Sequence, residues 1–178
     1  MTDEQDPRDT AASPEVDAAA DDEQDAKTGT FLVTHADDES AVLTDVHDGQ
    51  VHTLAANPGV SADEAVTGTL RPIPPMGVAW ELAEVDEQWA ISVEDSDLAP
   101  TQQEREIAAE QAVGELTRQE RAGEGELHVI TVPADGVDEA VADVLDDADG
   151  LRSRAARLGV NRVEVRSAEG VVSVRYVP

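Results

Sequence analysis

Cysteine is absent from this 178-residue chain, which excludes disulfides, thiol catalysis and cysteine-bound zinc. Aromatic residues are nearly absent too: Phe31, Trp80, Trp89 and Tyr176 are all there are, 2% of the chain. The core must therefore be assembled from Val, Leu, Ile and Ala, which suits thin layers better than one thick centre. No apolar run approaches the roughly 20 residues that span a bilayer. No basic-then-apolar leader pattern opens the sequence. Cations are scarce as well: 12 Lys+Arg, of which only Lys27 is lysine, stand against 40 Asp+Glu, a formal charge of -28.

That imbalance is itself informative. Carboxylates at this density repel one another, and screening of the repulsion tightens from about 10 Å at 0.1 M salt to about 3 Å at 1 M. High net charge of this kind is a trade that halophiles make. The composition points to the cytoplasm of a salt-accumulating microbe, a haloarchaeon, and away from anionic membranes. No cofactor is implied.

Residues 1–27 hold ten acids and two bases with almost nothing large and apolar, so this acidic tail is expected to be disordered. Residues 28–98 read as a small β-barrel, OB-like in outline, of about six short strands punctuated by Gly and Pro. Its first hairpin is expected to close on a two-residue Asp48-Gly49 turn. That turn pairs Val46 with Val51, puts Val42, Val46 and Val51 on one face, and turns Asp45, His47 and His52 outward. Residues 99–178 read as an α+β layer in the order α-ββ-αα-ββ, an antiparallel sheet with helices on one face. Thr101 and Glu104 form a T-x-x-E capping box. Asp135 is expected to cap a helix whose Val137, Ala140, Val141, Val144, Leu145 and Ala148 make one apolar stripe. A second helix, Leu151–Leu158, stops at Gly159.

The segments "TGTFLVTH", "REIAAEQ", "ERAGEGELHVITVP" and "AARLGV" resemble an uncharacterised haloarchaeal protein family, a domain of unknown function. The resemblance covers residues 28–178. It implies no activity, cofactor or site residue.

Candidate chemistry begins with the last sixth of the chain. Residues 150–178 carry six arginines and two acids, a local excess of +4 in an otherwise anionic sequence. In the closing hairpin, strand parity sets Arg162, Glu164, Arg166, Ser173 and Arg175 on one face. Val163, Val165, Val172, Val174 and Tyr176 take the other. Arg162, Arg166 and Arg175, with Arg154 and Arg157, are the candidate site, because guanidinium forks bind oxyanions bidentately. The cluster could instead be an internal network completed by the chain's own acids, or a face for self-association with a homo-oligomeric partner.

Asp45, His47 and His52 could hold a borderline cation such as zinc. A cross-strand charge pair between Asp45 and His52 explains them more simply, and no metal is assigned. "DDADG" (146–150) lacks the remaining positions of a calcium loop. Gly123-Glu124-Gly125 lacks the lysine and following helix of a phosphate loop.

The expected function is a non-catalytic binding or assembly module acting through the arginine-bearing hairpin. One alternative is an enzyme with a pocket between the two domains that uses His128 or an acid. The other is an OB-like nucleic-acid binder stacking bases on Trp80 or Trp89. Against the latter, residues 28–98 hold one cation, Arg71, among fourteen acids, and a phosphate-tracking groove needs positive charge.

Overall fold

The computed structural model describes residues 25–178, so the acidic tail lies, up to residue 24, outside the described residues. Five strands close a barrel in the order β1-β2-β3-β5-β4. They are β1 (Lys27–Ala36), β2 (Ala41–Asp45), β3 (Val51–Leu54), β4 (Glu64–Pro72) and β5 (Trp80–Ala90). Every barrel pair is antiparallel except β3 with β5, which run parallel and meet only at Leu54 and Trp80. That single bridge is the narrowest seam of the barrel. Phe31, Val33, Leu43, Leu54, Val66 and Leu70 fill the interior. β4 bends around it at a bulge beside Gly68, where an added Cβ would lie 2.1 Å from the Glu84 carbonyl oxygen, so the corner requires glycine.

The first hairpin differs from expectation in two ways. Thr44 pairs with Val51 and Leu43 with His52, so the loop is Val46–Gly49 and not the Asp48-Gly49 pair alone. The physical reason is Asp45. Its carboxylate accepts the N–H groups of His47 (2.7 Å) and Asp48 (3.3 Å), while its carbonyl accepts Gly49 N–H (2.9 Å), an Asx-type closure that outcompetes the tighter turn. The faces are also inverted. Leu43, Asp45, His52 and Leu54 point inward and are buried, whereas Val51 is 63% exposed.

The last strands of residues 28–98 do not all stay in the barrel. β5 runs unbroken to Ala90, Ile91 is buried, and β6 (Ser92–Asp95) leaves the barrel to pair parallel with β9. The second sheet thus has five strands in the order β6-β9-β10-β8-β7, with β7 (Leu116–Glu120), β8 (Glu126–Thr131), β9 (Arg162–Ala168) and β10 (Val171–Val177). It is not purely antiparallel, because β6 joins it from the barrel.

Three helices cover this sheet, and they do not share a face. α1 (Gln102–Glu110) opens on the Thr101/Glu104 capping box and packs Ala108 and Ile107 on Leu127, Val129 and Val171. α2 (Val137–Asp146) and α3 (Ala148–Leu158) pack on the opposite face, against Val163, Val165, Val172, Val174 and Tyr176. The expectation of helices on one face fails because α1 carries a buried carboxylate that needs the polar face of β10. Helix α2 begins at Gly136 without the expected Asp135 side-chain cap. Gly159 ends α3 at φ +69°, its N–H bonding the Ala155 and Ala156 carbonyls, the left-handed C-terminal closure that glycine permits.

Barrel and layer share one core. Leu32, Val46 and Ala65 from the barrel's outer wall pack with Val141, Leu151, Ala155 and Val160 from the helices. Trp89 fastens the junction by donating its indole N–H to the Val160 carbonyl at 3.2 Å.

Candidate functional site

Of the arginines expected to face outward, Arg166 and Arg175 are instead largely buried with Glu104 and Glu164 on the α1 side of the second sheet. The two-residue Glu169-Gly170 turn sets Arg175 opposite Glu164. Arg175 bonds Glu104 Oε1 at 2.8 Å and lies 3.6 Å from Glu164 Oε2. Arg166 reaches Glu164 at 2.8 Å and Arg162 reaches it at 3.3 Å. Side-chain exposure is 0% for Glu104, 10% for Glu164, 13% for Arg166 and 18% for Arg175; only Arg162, at 44%, meets solvent broadly.

Ser173 Oγ donates to Glu104 Oε2 at 3.3 Å, and the same oxygen accepts Thr101 N–H at 2.6 Å. One glutamate therefore caps its own helix and neutralises a sheet arginine. The remaining candidates are committed elsewhere. Arg154 pairs with Glu126, and Arg157 donates to the Val46 carbonyl at 3.1 Å. Each of the five is thus held by an acceptor of its own chain, which corrects the expectation of an outward contact face. Sequence parity had Glu164 right. It missed Glu104, since nothing in the local pattern says which side of the sheet α1 takes.

The imidazole–carboxylate group at the first hairpin also comes apart. Asp45 is buried and bound to Lys27 Nζ at 3.0 Å, His47 is exposed, and His52 is 3% exposed inside the barrel. Among the described residues no three His, Cys, Asp or Glu side chains are placed to hold a metal. Burial would raise the Asp45 pKa, but the His47 N–H and the Lys27 ammonium hold it below the usual carboxylate value.

His52 stands edge-on to Trp80 (ring centroids 4.5 Å) and Phe31 (5.9 Å), and neither ring nitrogen has a hydrogen-bond partner. Burial, then the Lys27 charge, push its pKa below the ordinary 6.5, against opposing pulls from Asp45 and Asp48. The unfolded chain then binds the extra proton first, so His52 costs no stability above about pH 6.5 and destabilises progressively as pH falls below it. Replacing His52 with Leu should flatten the pH dependence of Tm between that point and the onset of carboxylate titration. His128 would contribute what slope remains.

His128 lies on the other face of the second sheet, its Nε2 2.9 Å from Glu126 Oε2 and its ring 5.0 Å from that of Tyr176. Burial lowers its pKa, partly countered by Glu126. Burial would raise that of Glu126, but the bonds from His128 and Arg154 outweigh it and hold it low. Tyr176, desolvated, is pushed up to about 12. This is a packed charge cluster under α3.

The groove at the barrel–layer junction, about 450 Å³, is lined by Glu87, Gln88, Trp89, Gly159 and Asn161, so His128 does not face it. A larger groove of about 650 Å³ lies between the start of α1 and the β7–β8 hairpin, walled by Gln102, Gln103, Gln119 and Arg121. The two tryptophans are half-buried, Trp80 against the barrel core and Trp89 against the shared core.

Exposed apolar side chains occur on both units, Leu98 (59%), Val113 (63%) and Leu116 (43%) outside the barrel among them, and the two most exposed lie together in one barrel loop. Met76 (78%) and Val78 (73%) project from the β4–β5 loop, and Val51 (63%) from β3, the strand that meets β5 just beyond that loop at Trp80. The whole segment Pro72–Trp80 carries no charge.

The sequence profile of a family of unknown function (DUF5812) matches residues 27–167, and the chain belongs to that family. No curated protein matches it, and no solved structure does. No helix among the described residues is long and apolar enough to cross a membrane.

Proposed function

We propose that this member of the family is a non-catalytic protein-binding module of a salt-accumulating, haloarchaeal cytoplasm, and that it binds through its barrel. The closed order β1-β2-β3-β5-β4 supports reading the barrel strands, Lys27–Ala90, as OB-like. That scaffold's strand 2–3 face and β4–β5 loop carry ligand contacts to oligonucleotides and oligosaccharides, a surface here taken over for protein contact. The layer (99–178) then serves as a buttress. One observation carries the reading: the uncharged Pro72–Trp80 segment leaves Met76 and Val78, the two most exposed large apolar side chains among the described residues, in solvent within one loop. Exposed apolar clusters of this kind mark contact sites.

The partner's chemistry follows from the surroundings. Lys27 is already taken by Asp45 and Asp48, and the loop is flanked by Asp25, Glu81 and one cation, Arg71, so its rim carries more acid than base. A protein surface with an apolar recess rimmed by cations complements it; a polyanion does not. The arginine layer is not offered as the contact face, since its guanidinium groups are already paired within the chain.

The test compares native protein with the Met76→Asp/Val78→Asp variant as bait in lysate at molar KCl, followed by titration of the purified captured protein. The expected result is a partner held by the native chain and lost by the variant at unchanged circular dichroism. Equal capture by both would overturn the proposal. So would quenching of native tryptophan fluorescence by a single-stranded oligonucleotide.

A further inference from the structure

We infer that the chain forms a two-fold dimer by pairing the open edge of β7 with β7 of a second copy. This rests on the second sheet and is independent of the barrel reading. β7 is an edge strand, bonded only to β8. The bonds from Thr131 N–H to the Glu115 carbonyl and from Arg121 N–H to the Gly125 carbonyl set the ladder's alternation. Odd-numbered residues of β7 therefore bond β8. Leu116, Arg118 and Glu120 direct their N–H and C=O groups to the unpaired side, which is a template for another strand.

Which strand it takes follows from charge. About a two-fold axis normal to the sheet, outward residues pair with outward residues, and the side chains choose the register. Centring on Arg118 sets two guanidinium groups face to face. Centring on Glu120 does the same with two carboxylates. Centring on Gln119 sets Arg118 opposite Glu120 of the partner subunit, and Glu120 opposite the partner's Arg118. That register gives four backbone hydrogen bonds and two cross-strand ion pairs, and it is self-complementary as an isologous contact must be.

Two features of the single chain fit an absent neighbour. Among the described cations Arg118 and Arg71 alone have neither an ion pair nor a side-chain hydrogen bond, whereas six form ion pairs and Arg105, Arg121 and Arg157 donate to carbonyls. Glu120 stands opposite Glu126 across β8, whose carboxylate already takes Arg154 and His128, so Glu120 has no ion pair among the described residues and gains one from the partner's Arg118. Leu116, 43% exposed, would be covered by the partner's hairpin.

The experiment is sedimentation velocity of the full chain in molar KCl, where repulsion between two chains of charge -28 is screened. A dimer is expected. Arg118→Glu, which places acid opposite acid twice, should weaken it by roughly tenfold or more. Arg118→Glu/Glu120→Arg exchanges the charges and should restore it. Circular dichroism of each variant checks that the fold is intact, and Met76→Asp/Val78→Asp should leave the dimer unchanged. A monomeric native protein, an undiminished Arg118→Glu dimer, or a well-folded double variant that stays monomeric would each overturn the inference.

Discussion

Glu104→Ala is expected to lower unfolding free energy by about 3–5 kcal/mol, the usual cost of removing one partner from a buried charge pair. Glu104 is fully buried, and its two oxygens serve Arg175, Ser173 and Thr101 N–H. Alanine would keep the Thr101 Oγ cap on the residue-104 N–H but leave Thr101 N–H without its acceptor, and Arg175 facing only Glu164, on which Arg162 and Arg166 already converge. Three guanidinium groups would then share one carboxylate. Arg175 Nε is buried and without a hydrogen bond even in the native chain, its neighbouring carboxylate oxygen, Glu164 Oε2, standing 3.6 Å away.

Much of that loss is the penalty of a stranded charge, so it should not appear when both partners go. Glu104→Leu/Arg175→Met should be closer to native stability than Glu104→Ala, since well-packed apolar replacements of buried pairs are often neutral. Urea midpoints at constant slope measure all three. A loss below about 1 kcal/mol in Glu104→Ala, the range of exposed pairs, would show that the network is a surface feature.

The same glutamate shows what could be read from the sequence. The T-x-x-E spacing located α1 and named Glu104 as its reciprocal cap, because capping is local. Strand parity in the closing hairpin sorted Val172, Val174 and Tyr176 from Ser173 and Arg175, because alternation is local as well. What escaped was which face each helix covers, a choice made by long-range packing. Two apolar stripes, on α2 and α3, took the valine face and left the polar face to the only helix with a buried acid.

The first hairpin failed for a different reason. Parity puts Asp45 and His52 on one face, which holds, but their polarity sends that face to solvent, which does not. The barrel buries them because Lys27 closes over Asp45 and two aromatic rings enclose His52. Lys27, the one lysine, sits where a buried acid needs it; the acidic tail was drawn one strand residue too long. Family membership adds the expectation that relatives share the barrel and layer, since the matched span crosses both.

An effect of similar size should come from salt. Raising KCl from dilute buffer to the molar range is expected to raise Tm by on the order of 10 °C. Two like charges 10 Å apart in water repel by about 0.4 kcal/mol, and 40 acids facing 12 cations leave many such pairs uncompensated. The unfolded chain carries the same charges but spreads them, so only part of the sum is lost on unfolding; a few kcal/mol remain. For a chain of this length, each kcal/mol moves Tm by roughly 2–4 °C. Salt also weakens attractive pairs, but the exposed ones are few, and the Glu104–Arg175 layer is shielded from ions by α1.

Screening and salting-out can be separated by the anion. Debye screening depends on ionic strength alone and is mostly complete by about 1 M, whereas excluded-solute effects grow with kosmotropic anions. KCl and KBr should therefore stabilise equally over the first few tenths molar, with any divergence confined to higher concentration. A flat Tm across that first interval would mean that the carboxylates are placed too far apart to matter to the fold. The acidic surface would then have to be explained by hydration or solubility rather than by repulsion relieved in brine.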